Sequence, residues 1–274
     1  MPPPEPDAAF QAWLCSAPGR YLSAWEHLQY DQAVADVFGY RALQLGLAGL
    51  DTLHNNRMPH RWLAHSSGLA LREAVTAQAG RSAMVTDFDA LPFAENSLDL
   101  VTLPHALELC PDPHGTLSEV QRVLIPEGRV IISGLNPASL WGLRQRRTQV
   151  YRRLGLSGTY VPGSHEWIGY WRLRDWLRLL SFEVESVRFG CYRPSLENPV
   201  WLDRMAWLDR VGRRWWPIFG GVYFVVAVKR VRGMKLMSQA WKQAPKIGAA
   251  PAASAPVSVA GKAQPVSQNR EKSV

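Results

Sequence analysis

The chain has 274 residues, of which 47% are hydrophobic and 20% charged, with a net charge of +8 and three cysteines. That length holds one α/β domain with inserts and tails. The sparse, odd set Cys15, Cys110 and Cys191 excludes a disulfide scaffold and fits a reducing cytoplasm, and the longest apolar run, Val222 to Val228, is far too short to span a bilayer.

The opening MPPPEPD is Pro-rich and lacks the basic and apolar regions of a signal peptide. Residues 1–9 are therefore expected to form a disordered leader. Phe10 to Phe38 has helical apolar spacing, broken at Pro18-Gly19, and Gly39 ends it. Arg41 to Leu45 is the first strand, running into Gln44-Leu45-Gly46-Leu47-Ala48-Gly49. Arg61 to Ala64 is the second strand, followed by His65-Ser66-Ser67. Met84 to Thr86 is a third, stopping at Asp87, and Leu98 to Leu103 a fourth, stopping at Pro104.

Asp112 and Pro113 open a helix with Leu117, Val120, Val123 and Leu124 on one face; Pro126 and Gly128 are expected to end it before a strand at Arg129 to Ser133. Strands alternating with helices imply a parallel sheet with right-handed crossovers. Ligands then bind beyond the carboxyl ends of the strands. Asp87, Pro104, His105 and Asn136 fall on that edge.

Further on, a first insert at about 138–166 carries arginines 144, 146, 147, 152 and 153, either a solvated face or a site for an anionic acceptor. A helix at Arg172 to Leu180 and a strand at Phe182 to Phe189 follow. A second insert, about 192–218, repeats WLDR at 201 and 207. Eight of the twelve tryptophans lie between Trp141 and Trp216, which suits a hydrophobic acceptor, packing of the inserts, or weak contact with a membrane surface. Gly220 to Val231 is the last strand. Residues 233–274 are rich in Ala, Pro and Lys and are expected to be a disordered basic tail.

From Lys229 onward there are nine basic residues and one acid, against 22 of each before it. The positive charge therefore belongs to the tail, and no specific nucleic-acid partner is expected of the neutral domain. His54, His60 and His65 lack a ligand spacing, and His105, Cys110 and His114 lack a second cysteine pair, so no metal is expected.

Asp87-Phe88-Asp89-Ala90-Leu91-Pro92-Phe93, Ser97-Leu98-Asp99 and Arg122-Val123-Leu124-Ile125-Pro126-Glu127-Gly128 resemble, in order and spacing, the middle of a class I S-adenosylmethionine-dependent methyltransferase of the type 11 group. The resemblance covers about residues 20–232, within a domain drawn at 10–232. It implies a Rossmann-like α/β fold, a seven-stranded mostly parallel sheet with a C-terminal antiparallel hairpin and helical inserts, with a helix before the first strand lying over the cofactor pocket.

The implied cofactor is S-adenosyl-L-methionine, and the implied contacts are Gln44, Gly46, Leu47, Gly49, His65, Asp87, Phe88, Pro104 and His105. Asp87 would accept from the adenine amine, beside the Phe88 amide. Gly46 matches the family's glycine loop, but Gln44 stands where an acid is usual, Ala48 replaces the second glycine, and no acid follows the second strand. His105 has the intrinsic pKa of a general base, with Glu108 and His165 behind it. Two readings stand: a methyltransferase acting on a hydrophobic or anionic small molecule, or a methyltransferase-like module that binds or regulates without catalysis.

Overall fold

The computed structural model describes residues 6–66, 82–153, 161–162 and 167–230. All lie in the first of two units, Met1–Gly233; the second, Met234–Val274, falls outside the described residues, and with it the expected tail. Ser67 and His165 also fall outside them.

Seven strands form one sheet: β1 (Arg41–Leu45), β2 (His60–His65), β3 (Ser82–Val85), β4 (Leu98–Pro104), β5 (Leu124–Leu135), β6 (Phe182–Gly190) and β7 (Val222–Lys229), in the order β3-β2-β1-β4-β5-β7-β6. β3, β2, β1, β4 and β5 run parallel, while β7 is antiparallel to both β5 and β6. Covered faces explain the sequence patterns. β1, β4 and β7 are buried almost throughout, whereas the edge strand β6 exposes Glu183, Glu185 and Arg188. The antiparallel hairpin expected at the C-terminal end is present, with Phe182 opposite Lys229 and Gly190 opposite Val222.

The helices are α1 (Pro6–Leu14), α2 (Ala17–Ala35), α3 (Ala106–Leu109), α4 (Pro113–Val123), α5 (Leu140–Arg153), α6 (Tyr170–Leu179), α7 (Pro199–Arg204) and α8 (Trp207–Trp215). Two boundaries differ from the sequence reading. Pro18-Gly19 does not break the first helix; the break comes earlier, at Cys15-Ser16, where the Ser16 hydroxyl caps α2 by accepting from the Gly19 amide. Pro18 then sits in the first turn, where its missing N–H is no loss. A side chain at Gly19 would lie 2.4 Å from the Leu14 Cα, so the glycine lets α1 and α2 meet. α1 also begins at Pro6, inside the expected leader.

At the second boundary, α4 ends at Val123 rather than at Pro126, and β5 starts at once. Leu98 pairs with Leu124 but Leu100 with Arg129, so residues 125–128 bulge from the ladder, with Glu127 at φ 64°. Asp112 caps α4 by accepting from the His114 and Gly115 amides.

Candidate cofactor site

The strand order reverses between β1 and β4, since β1 lies between β2 and β4. The crevice beyond their carboxyl ends is the expected ligand position. Gly46 leaves β1 with φ +89°, a conformation that only glycine adopts freely, and a Cβ there would stand 2.9 Å from the Ala106 Cβ. Gln44 is fully buried just before it. Its amide nitrogen donates to the Leu47 and Leu50 carbonyls at 2.9 and 2.6 Å, and its oxygen accepts from the Thr52 amide and hydroxyl. Gln44 was expected to face the cofactor. Instead both donors and both lone pairs serve its own loop, a task that an ionised carboxylate, which cannot donate, would not perform.

α1 lies over this loop. Phe10 is fully buried with its ring 5.1 Å from that of His105, and a Cβ on Gly49 would stand 3.2 Å from the Gln11 Oε1. Leu47 and Ala48 are buried, so protein atoms cover the backbone that the glycine loop would offer to a ligand. Gln11 Nε2 is buried beside the loop and makes no hydrogen bond among the described residues. An orphaned donor at this place fits a carboxylate.

His105, the candidate base, follows β4 in a left-handed conformation (φ 52°) and is fully buried. Nδ1 lies 2.9 Å from Glu108 Oε2, and Nε2 lies 2.9 Å from Glu26 Oε1, the latter out of line for a hydrogen bond. Glu108 in turn accepts from the Leu135 amide. Burial opposes a charge on the imidazole and is the largest single influence, but the Glu26 and Glu108 carboxylates together outweigh it and push the pKa up to about 10. At neutral pH the ring is thus an imidazolium held between two acids. In this arrangement it donates and does not accept a proton. Glu26 was missed by the sequence reading: it lies 79 residues upstream on α2 and carries no motif.

The adenine end is open. A cleft of about 190 Å³ is lined by Ser66, Asp87, Phe88 and Asp89 on one side and by Leu109, Cys110, Pro111, Asp112 and Thr116 on the other. Asp87 is exposed, and its carboxylate has no hydrogen-bond partner among the described residues. His65 is buried at the end of β2, and the exposed Ser66 lines the cleft in its place. Pro104 is buried at the end of β4. Asn136 is also buried, and it ties β5 to the turn before β7 by donating to the Ile218 and Gly220 carbonyls.

The recognised motifs prove to be the fixtures of this cleft. Arg122 donates to the Leu91 and Phe93 carbonyls and pairs with Glu119, which accepts from the Leu91 amide. α4 thereby clamps the turn that presents Asp87. That same guanidinium holds the Glu119 carboxyl below its usual range. Asp99 accepts from the Tyr40 and Arg41 amides at 2.9 Å and fixes the start of β1.

Residues 56–132 match the methyltransferase domain family of the type 11 group. The uncharacterized protein YafS of Escherichia coli is 44% identical over 94 residues, 34% of this chain and 36% of YafS. A malonyl-[acyl-carrier protein] O-methyltransferase of Methylovorus is 41% identical over 69 residues, 25% of this chain and 23% of that protein. The chain thus spans about a third or less of the length of these curated relatives. A chain of the Haloferax volcanii complex between the Trm112 methyltransferase activator and a methyltransferase superposes with a TM-score of 0.56 at 19% identity, over 81% of this chain and 98% of its own. The strand order, the clamp around Asp87 and these matches agree: the protein has the class I methyltransferase fold, and its residues 56–132 are similar to the type 11 methyltransferase domain family.

Proposed function

We propose that the chain binds S-adenosylmethionine in the crevice beyond β1 and β4 and transfers its methyl group to an acceptor that brings its own anionic oxygen. The observation that carries this reading is the free Asp87 carboxylate at the mouth of the 190 Å³ cleft, on a turn clamped by Arg122. Bound there, the cofactor supplies an electrophilic methyl carbon on a sulfonium, open to displacement in one step.

Asp87 accepts from the adenine amine, the Phe88 backbone amide meets the ring, and Ser66 offers its hydroxyl to the ribose. The cleft is smaller than the ~300–1,000 Å³ usual for ligand sites. α1 must therefore shift for the remainder of the cofactor to reach Gly46, and once closed it keeps water out through Phe10 while Gln11 Nε2 finds an acceptor. His105, protonated and buried, acts on the site as a fixed cation and not as a base. Alignment rather than proton abstraction then drives the transfer, which suits an acceptor already ionised at neutral pH, such as a carboxylate. The malonyl group named for the Methylovorus relative is of that class. The three free cysteines suit a cytoplasmic setting.

The second reading, a module that has lost catalysis, is favoured by the loop-bound Gln44 amide and the covered glycine loop. Calorimetric titration with S-adenosylmethionine and S-adenosylhomocysteine separates the two. The expected result is micromolar binding, weakened at least tenfold in Asp87→Ala. No heat up to millimolar cofactor would leave only the second reading standing.

A further inference from the structure

Further along the carboxyl edge of the sheet, beyond the end of β5 and before β7, seven consecutive residues from Arg213 to Phe219 are exposed. They close α8 and the turn before β7. Trp216 and Phe219 form one wall of an open cleft of about 510 Å³, and Leu140, Leu143 and Arg146 of α5 form the other, with Tyr192 and Pro137 among its remaining lining. Leu143 is 64% exposed and Trp215 70%. A continuous apolar rim of this kind on a folded surface marks an interaction site.

The charge around the rim is of one sign. Each acid nearby already has an arginine: Asp203 and Asp209 pair with Arg193, and Glu197 lies 3.8 Å from Arg144. Arg146, Arg210, Arg213 and Arg214 are exposed and have no acidic partner among the described residues. On α8, Arg210, Arg213 and Arg214 fall on one side, flanked by Trp207 and Trp215. Tryptophan and arginine set beside leucine and phenylalanine match a bilayer interface, where aromatic rings sit at headgroup depth and guanidinium groups meet lipid phosphates. No described helix is long and apolar enough to cross a membrane, so the contact would be peripheral. The chain's own basic tail, of like charge, is a poor occupant for this face.

We infer that the α5–α8 face docks the protein on an anionic lipid surface, with Trp216, Ile218 and Phe219 entering the headgroup layer and the apolar cleft opening toward the acyl chains. The inference stands apart from cofactor binding, which uses the part of the same edge beyond β1 and β4 and none of the residues lining this cleft. Its test is co-sedimentation of the full chain with vesicles of phosphatidylglycerol and phosphatidylcholine (3:7), against phosphatidylcholine alone, together with tryptophan quenching by brominated acyl chains.

The expected result is at least tenfold preference for the anionic vesicles, reduced by salt, with quenching. Arg213→Glu with Arg214→Glu should lower binding at least tenfold, and Trp216→Ser with Phe219→Ser should lower both binding and the quenching of the remaining tryptophans at least severalfold. All these side chains are exposed, so circular dichroism and S-adenosylhomocysteine affinity should be unchanged. Equal binding by wild type and both variants would assign any lipid affinity to the tail and overturn the proposal. So would binding without quenching, or self-association of the chain through this face in sedimentation velocity.

Discussion

The Glu26–His105–Glu108 group makes a sharp prediction about stability and pH. His105 titrates near its ordinary 6.5 in the unfolded chain and near 10 in the folded one. Between those values the folded state binds more protons, so stability falls as pH rises: the contribution is complete below pH 6.5 and gone above about pH 10. At ~1.4 kcal/mol per pH unit the total is about 5 kcal/mol, an upper figure because two buried carboxylates share the proton. With a urea dependence of about 2–3 kcal/mol per molar, the midpoint should fall by roughly 2 M across that window.

His105→Asn is the matched control, because Asn tolerates the left-handed backbone and carries no charge. It should cost about 3–5 kcal/mol at pH 6.5, by leaving two acids without their cation, and little at pH 10. Subtracting the variant's curve removes every contribution that the two proteins share. If the Asn variant does not fold, Glu26→Gln should lower the His105 pKa, read directly from its imidazole C2–H resonance. A His105 resonance that titrates near 6.5 in the wild type, or parallel pH profiles for wild type and variant, would refute the reasoning.

Three further substitutions test the cofactor end. Gln44→Glu restores the family's acid, yet it should destabilise the fold by about 2–5 kcal/mol in thermal melts and not improve cofactor affinity, because the Leu47 and Leu50 carbonyls would lose their donor and face a buried carboxylate. Gly46→Ala should cost ~1–3 kcal/mol in denaturant unfolding, from a side chain at φ +89° pressed on Ala106. Arg122→Ala should cost about 1–2 kcal/mol, the pair being partly solvent-screened, and should weaken S-adenosylhomocysteine binding by calorimetry as the Asp87 turn loosens.

The sequence by itself determined the strands, because buried parallel strands must be apolar on both faces and must end where polar or cyclic residues break the run. Hence Arg41–Leu45 appears with its exact bounds, and β4 differs by one residue. It also marked the Asp87 turn, since its motif is held by near neighbours in the chain: Asp87, Leu91 and Arg122 all lie between the end of β3 and the end of α4.

Only the tertiary structure decided the states of His105 and Gln44. Their chemistry depends on partners brought together by folding: Glu26 from a helix 79 residues away, and Phe10 and Gln11 from a helix drawn over the glycine loop. A histidine's pKa is set by the balance of burial against nearby charge. Neither quantity is local in the chain, so the same residue reads as a base in the sequence and stands as a buried cation in the fold.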